Sequence, residues 1–248
     1  MINLDNYSKN NNYRILTEQS NLTSNELDIK TTNEIVNIFN EADKEPQKAV
    51  ENAIPDIVYA IDEITIRLKS NGRLFYIGTG TSGRLGVLDA SECPPTFCTN
   101  PDLVQGIIAG GITSLTRSSE SLEDISEIAI TDLKDRNFSN KDVLIGITAS
   151  GRTPYVRRAL NYSKSIKALT ISISSVPESD SSLDSDIDIR LITGPEILAG
   201  STRLKAGTAT KMALNIISTS VMIKLGKVYD NRMIDLSVSN DKLMDRAI

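Results

Sequence analysis

The sequence predicts an α/β fold: a five-stranded parallel sheet flanked by helices, with a helical arm ahead of it. Three observations lead there. Five short apolar runs, Leu74 to Ile77, Leu103 to Ala109, Val143 to Thr148, Ala168 to Ser174 and Ile187 to Ile192, have the length and composition of strands buried on both faces. Segments with helical apolar spacing separate most of them, as right-handed βαβ units require. Two of the runs lead straight into a glycine- and hydroxyl-rich bend that opens a helix, which is where parallel sheets place their ligands.

Residues 1–30 are polar and rich in asparagine, and are expected to stay loose until they dock. A helix follows from Thr31 to about Asn40, with Ile35, Ile38 and Phe39 on one side. Val50, Ile54, Ile57, Ile61, Ile64 and Leu68 then recur at intervals of four and three, a narrow apolar seam that suits either packing against the sheet or a subunit interface. Pro46 fits a first helical turn, and Pro55 should kink or restart the helix. After the strand Leu74 to Ile77, Gly78, Gly80 and Gly83 allow a tight turn, and Ser82 is placed to cap a helix from about Arg84. That helix is expected to end ahead of Pro94-Pro95, freeing Glu92 to swing towards the turn. Gly110-Gly111 ends the second strand, and Ser114 to Lys134 reads as one helix. The third strand runs into Ala149-Ser150-Gly151-Arg152-Thr153, with Pro154 at a first helical position and helix from Tyr155 to Ser165. Ser174 to Ser185 is a Ser/Asp-rich loop, and Leu204 to Leu225 is a long apolar helix. This divides the chain into an arm over 1–45, a sheet domain over 46–230 and the start of a C-terminal segment over 231–248.

Composition removes several functions. A net charge of −5 argues against a nucleic-acid surface. The first residues carry no basic-then-apolar leader, and no apolar run reaches membrane length, so a cytoplasmic protein without membrane contact is expected. Two cysteines, Cys93 and Cys98, imply no disulfide framework and no C-x-x-C site. With no histidine, Ser-His-Asp, Cys-His and His-metal mechanisms are all excluded. No metal is expected, and proton transfer must fall to carboxylates, Lys, Tyr or Cys.

Backbone N–H groups and the positive end of a helix dipole at the turn 78–83 suit an anion. The letters of G-x-G-x-x-G match from Gly78 to Gly83, but the next strand ends in glycines rather than in the acid of a dinucleotide site, and Arg84 stands where a P-loop has lysine. The hydroxyls of Thr79, Thr81 and Ser82 favour a phosphomonoester. A plain turn without a ligand is the alternative. Ser150 and Thr153 repeat the pattern, and Gly200 to Gly207, with Ser201, adds a third hydroxylated turn. Arg152, Arg203 and Lys205 are candidate charge partners, or else ordinary surface cations. Glu92 precedes the two prolines, and Glu120, Glu123 and Glu127 share one helix face, which such acids commonly present to solvent. Two carboxylates beside a bound sugar could act as base and acid if their environments differ.

With these residues in place, the chain resembles the N-acetylmuramic acid 6-phosphate etherase family of the sugar isomerase (SIS) domain superfamily. The resemblance is carried by LTEQSN at 16–21, GRLFYIGTGTSGRLGVLDASECPPTF at 72–97, GIIAGG at 106–111, ASGRTPYV at 149–156, GPEILAGSTRLKAGTATKMALN at 194–215 and MIKLGKVYDNRMIDL at 222–236. It implies an α/β/α SIS domain over 46–230. It also implies a cofactor-free cleavage of the lactyl ether of N-acetylmuramic acid 6-phosphate, by elimination and then water addition, in cell-wall amino-sugar recycling or catabolism. Glu92, in the S-E-C-P-P motif, matches the family's catalytic acid. Glu123, later in Glu120-Ser121-Leu122-Glu123-Asp124, matches its second glutamate and carbon-2 base, with Glu120 as the fallback. Phosphate binding falls on Thr79, Thr81, Ser82, Ser150 and Thr153, and a homodimer is implied, because superfamily sites commonly form between subunits. Family members usually continue past the position of Ile248 into a small helical region, which leaves a short member or a truncated one expected. A sugar-phosphate-binding regulator, like the glucokinase regulatory relative, and an aldose–ketose isomerase are the two other readings.

Overall fold

In the computed structural model, residues 15–117 and 125–234 are described. The five predicted strands form: β1 (Leu74–Gly78), β2 (Val104–Ile108), β3 (Val143–Ile147), β4 (Leu169–Ser174) and β5 (Ile187–Arg190). They pair in parallel in the order β2-β1-β3-β4-β5. Chain direction across the sheet reverses between β1 and β3, and ligands of such sheets sit at the carboxyl ends of the strands there.

Successive strand residues point to opposite faces, and both faces are covered. One face carries Leu74, Tyr76, Ile145 and Ile171, packed under helices α2 (Glu45–Asn52), α3 (Ile54–Lys69), α4 (Gly80–Phe97) and α8 (Lys205–Lys224). The other carries Phe75, Ile77 and Leu144, under α6 (Ile128–Lys134) and α7 (Pro154–Ser165). Tyr76 donates from its buried hydroxyl to Asp89 of α4 at 2.9 Å, and Asn215 and Ser218 of α8 donate to the same carboxylate. This buried polar group is therefore satisfied, and it ties α4 and α8 to the sheet. At the opposite end of the strands, Asp142 accepts the N–H of Arg73 at 2.9 Å and that of Ser139 at 2.8 Å, and pairs with the Arg73 guanidinium.

The apolar seam resolves as core. Val50, Ile57, Ile61, Ile64 and Leu68 are buried, while Ile54 stays half exposed. Pro55 restarts the helix, since α2 ends at Asn52 and α3 begins at Ile54. The arm docks through three single 3-10 turns (Leu16–Glu18, Leu22–Ser24, Leu27–Ile29), followed by α1 (Thr32–Ala42), which Thr31 and Glu34 open with a capping box.

Two expectations are corrected. Ser114 to Lys134 is not one helix: a short α5 (Thr113–Thr116) stops at Arg117, whose backbone is extended, and α6 starts only at Ile128. Hydroxylated residues such as Thr113, Ser114 and Thr116 compete for backbone hydrogen bonds and weaken a helix. Nor does α4 stop ahead of its prolines. It runs through Pro94 and Pro95 to Phe97 and closes at Cys98 in the left-handed region. A proline inside a helix costs about 3 kcal/mol, but Gly83, Gly86, Ala90, Cys93 and Phe97 form a buried stripe that continues past both. Phe97 is buried beyond both prolines, and the Cys98 N–H bonds to Pro94 O at 2.9 Å to close the last turn. A hairpin of β6 (Val228–Tyr229) and β7 (Arg232–Met233) closes the described chain.

Candidate active site

The bend after β1 forms the first wall of the candidate site. The helix α4 begins at Gly80, earlier than Ser82 capping from Arg84 would place it, and Thr79 is the residue before the first turn. Gly83 N–H bonds back to Thr79 O at 3.1 Å. The amides of Gly80, Thr81 and Ser82 precede that bond, and these are the N–H groups a helix start leaves for a ligand. Only glycine fits at Gly83, because a Cβ would lie 2.6 Å from Gly78 O and 2.7 Å from Ile108 Cγ1.

The bend after β3 lies beside it. Thr148 and Thr153 share a hydrogen bond between their hydroxyls at 2.9 Å, and Arg152 N–H donates to Ser150 Oγ. Gly151 O is held by Ser181 Oγ at 2.8 Å and by Arg157 Nη1 at 2.9 Å, so the loop is anchored from behind.

The third wall is the turn into α8. Glu196, 1% exposed, sends its two carboxylate oxygens to the N–H groups of Lys205 and Ala206 at 3.0 Å each. It caps α8 and neutralises the positive end of that helix. Among the described residues no side-chain cap closes the start of α4, so its first amides are a candidate anion site. Together the three walls enclose a cavity of about 400 Å³ lined by Thr79, Thr81, Ser82, Ser150, Thr153, Thr202 and Thr210, and by the charged Glu18 and Arg84. That size suits a sugar phosphate.

Thr79, Thr81, Ser82, Ser150 and Thr153 are thus brought together. Ser201, Arg152 and Lys205 are not. Ser201 does not line the cavity; its neighbour Thr202 does. Exposed Arg152 donates to Asp180 O at 3.0 Å. The Lys205 side chain points the other way: its ammonium donates to Thr193 O at 2.6 Å and lines a separate cavity of about 710 Å³, shared with Glu41 and Glu45 beneath α1 and α2. Burial pushes its pKa down, and Glu196 opposes that shift. The larger cavity is lined by Asn21, Thr23, Thr193 and Gly194 and does not reach the start of α4.

Glu92 is exposed, ten residues after Ser82 on α4, and outside the cavity of its own chain. The rise of a helix puts it about 15 Å further along the axis. Glu123 and Glu120 lie outside the described residues. Sequence reasoning missed Glu18, Thr202 and Thr210 as lining residues. No local spacing could show that residue 18 would meet residue 200. Among the described residues, no group of three or more metal-ligating side chains occurs, and no helix is long and apolar enough to cross a membrane.

Comparisons with known proteins agree with this geometry. Residues 56–164 match the glucokinase regulatory protein N-terminal SIS domain family, and residues 121–220 match the SIS domain family. Among solved structures, the c3406 protein of E. coli CFT073 superposes with a TM-score of 0.57 at 18% identity, over 81% of this chain and 96% of its own. A phosphoheptose isomerase from Neisseria gonorrhoeae superposes with a TM-score of 0.55 at 16% identity, over 76% of this chain and 98% of its own. At such identities they speak to the fold. Curated relatives speak to more. The N-acetylmuramic acid 6-phosphate etherase of Prochlorococcus marinus strain NATL2A is 86% identical over 248 residues, all of this chain and 80% of its own. The protein of the same name from Prochlorococcus marinus strain MIT 9313 is 58% identical over 98% of this chain and 77% of its own. That of Synechococcus sp. strain CC9902 is 59% identical over 94% and 74%. With an SIS sheet, a hydroxylated cavity at its switch point and identities of this order along its length, the chain belongs to the N-acetylmuramic acid 6-phosphate etherase family.

Proposed function

We propose that this protein cleaves the D-lactyl ether of N-acetylmuramic acid 6-phosphate, giving N-acetylglucosamine 6-phosphate and D-lactate, in amino-sugar recycling or catabolism. The observation that carries the reading is the 400 Å³ cavity at the start of α4, in a chain 86% identical to a curated etherase. The phosphate sits on the amides and hydroxyls of Thr81 and Ser82, with Ser150 and Thr153 opposite. In the opened sugar, the aldehyde acidifies the proton on carbon 2. The Glu123 carboxylate removes it, and the lactyl oxygen leaves carbon 3 with a proton from the Glu92 carboxyl. Water then adds at carbon 3, giving a proton to Glu92, while Glu123 returns its proton to carbon 2. Both acids end as they began, and no cofactor is consumed.

Because Glu92 lies outside the cavity of its own chain, the reading includes a homodimer in which Glu92 of one copy serves the pocket of the other. Its exposure and the absence of a salt bridge to it among the described residues support that role. A phosphorylated sugar is charged and stays where it is made, so the reaction belongs in the cytoplasm. Enzymatic assay of lactate released from the substrate tests the proposal. Glu92→Gln should slow release by about 10²–10⁴-fold, the usual contribution of a general acid. A loss of only a few-fold removes Glu92 from the mechanism. The match to the regulatory-protein domain favours one rival: a wild-type protein that binds sugar phosphate yet releases no lactate is a regulator.

A further inference from the structure

One acidic side chain reaches the cavity from the arm. Glu18 lines it, and among the described residues it is the only carboxylate that does. Its backbone is fixed from several sides. Leu16 N–H donates to Asp180 Oδ2 at 2.8 Å, Ile15 and Thr17 are buried, and Asn21 Nδ2 donates to Pro195 O at 3.0 Å. Glu18 Oε2 lies 3.0 Å from where a Cβ on Gly200 would stand, and Gly200 has φ +77°. The loop therefore leaves room for this carboxylate. No hydrogen bond or salt bridge among the described residues engages it. The cavity's cation, Arg84, is committed elsewhere, to Leu115 O at 3.1 Å and Arg117 O at 3.3 Å.

An unpaired carboxylate in the same small cavity as an anion site repels a bare anion and any second phosphate. It attracts only hydrogen-bond donors, and a sugar phosphate supplies these as hydroxyls next to its phosphorylated end. We infer that Glu18 is a substrate-specificity residue: it accepts hydrogen bonds from sugar hydroxyls and biases the pocket towards a polyhydroxylated phosphomonoester, against inorganic phosphate and diphosphates. This rests on the sugar-phosphate reading above.

Calorimetric titration of the full chain with N-acetylglucosamine 6-phosphate and with inorganic phosphate tests it, using wild type, Glu18→Gln and Glu18→Ala. Glu18→Ala should weaken the sugar phosphate by about tenfold to hundredfold, the range for a hydrogen bond to a charged acceptor, and should bind inorganic phosphate as tightly as wild type or more so. Glu18→Gln keeps an acceptor without the charge and should fall between for the sugar. In turnover, KM should rise and kcat stay nearly level. Parallel weakening of both ligands would mean a structural role, and unchanged binding of both a bystander; either overturns the inference. Wild type that binds neither ligand overturns it too. Wild type that binds the sugar selectively but releases no lactate sinks the etherase reading and leaves Glu18 in place.

Discussion

The Glu196 carboxylate accepts the backbone N–H of Lys205 at 3.0 Å, nine residues further on, in a position 99% shielded from solvent. Its other oxygen takes Ala206 in the same way. The start of α8 is thereby filled by the protein itself, while among the described residues no side-chain cap closes the start of α4, across the same cavity. Glu196→Ala should cost about 2 kcal/mol of stability, the scale of a charged hydrogen bond left unmade. Glu196→Gln, with one acceptor retained, should cost less. Urea unfolding measures both, and equal stability for all three proteins would show that the cap contributes nothing.

A carboxylate can be moved to the other helix start. Ser82→Asp places an acid in the first turn of α4, where it suits the dipole and should raise stability by a few tenths of a kcal/mol. The same acid would fill the proposed anion site, so sugar-phosphate binding should fall by about a hundredfold or more. Glu92→Gln and Ser82→Asp should each be nearly inactive alone. If Glu92 serves the pocket of a second copy, mixing and re-equilibrating the two variants should restore up to about a quarter of wild-type activity, because half the dimers then hold one intact site. No recovery after demonstrated subunit exchange would place both groups in one chain.

The two thiols should react very differently. Cys93 is buried, and burial first, then Asp89 and Glu92, push its pKa up to about 12. Cys98 is exposed just beyond the helix. Native protein at pH 8 should take up one equivalent of iodoacetamide, at Cys98, and a second only on unfolding. The sign of the linked stability follows. The unfolded thiol ionises near its usual value of 9.0, the folded one near 12, so the unfolded chain loses its proton first. The contribution of Cys93 is intact below pH 9 and falls by about 1.4 kcal/mol per pH unit between there and about 12. Cys93→Ala should flatten that part of the alkaline stability profile, as read from urea midpoints.

The strands were legible because a strand covered on both faces must be apolar throughout, as Leu74 to Ile77 and Val143 to Ile147 are. The bends at Thr79 to Gly83 and at Ser150 to Thr153 were legible because glycine and hydroxyls cluster where a chain turns from strand to helix. Local chemistry misled at Pro94 and Pro95, where the helix runs on through both prolines to the buried Phe97. It also misled at Lys205: a charge beside a phosphate-like turn looked available, yet the helix turns that side chain to Thr193. Glu18 carried no local signal, since its neighbours at the site come from about 60 to 190 residues later in the chain.

That separation has a bearing on synthesis. The arm is made first, but the carbonyls it holds, at Pro195 and Ile197, and the α8 residues that wall the pocket are made near the end. A growing chain can pair β1, β2 and β3 before the carbonyls that Asn21 and Ser24 hold have been made. The walls of the cavity are therefore complete only once α8 has followed the sheet, and a chain cut before α8 would keep the five strands yet lack Ala206, Gly207 and Thr210 at the pocket.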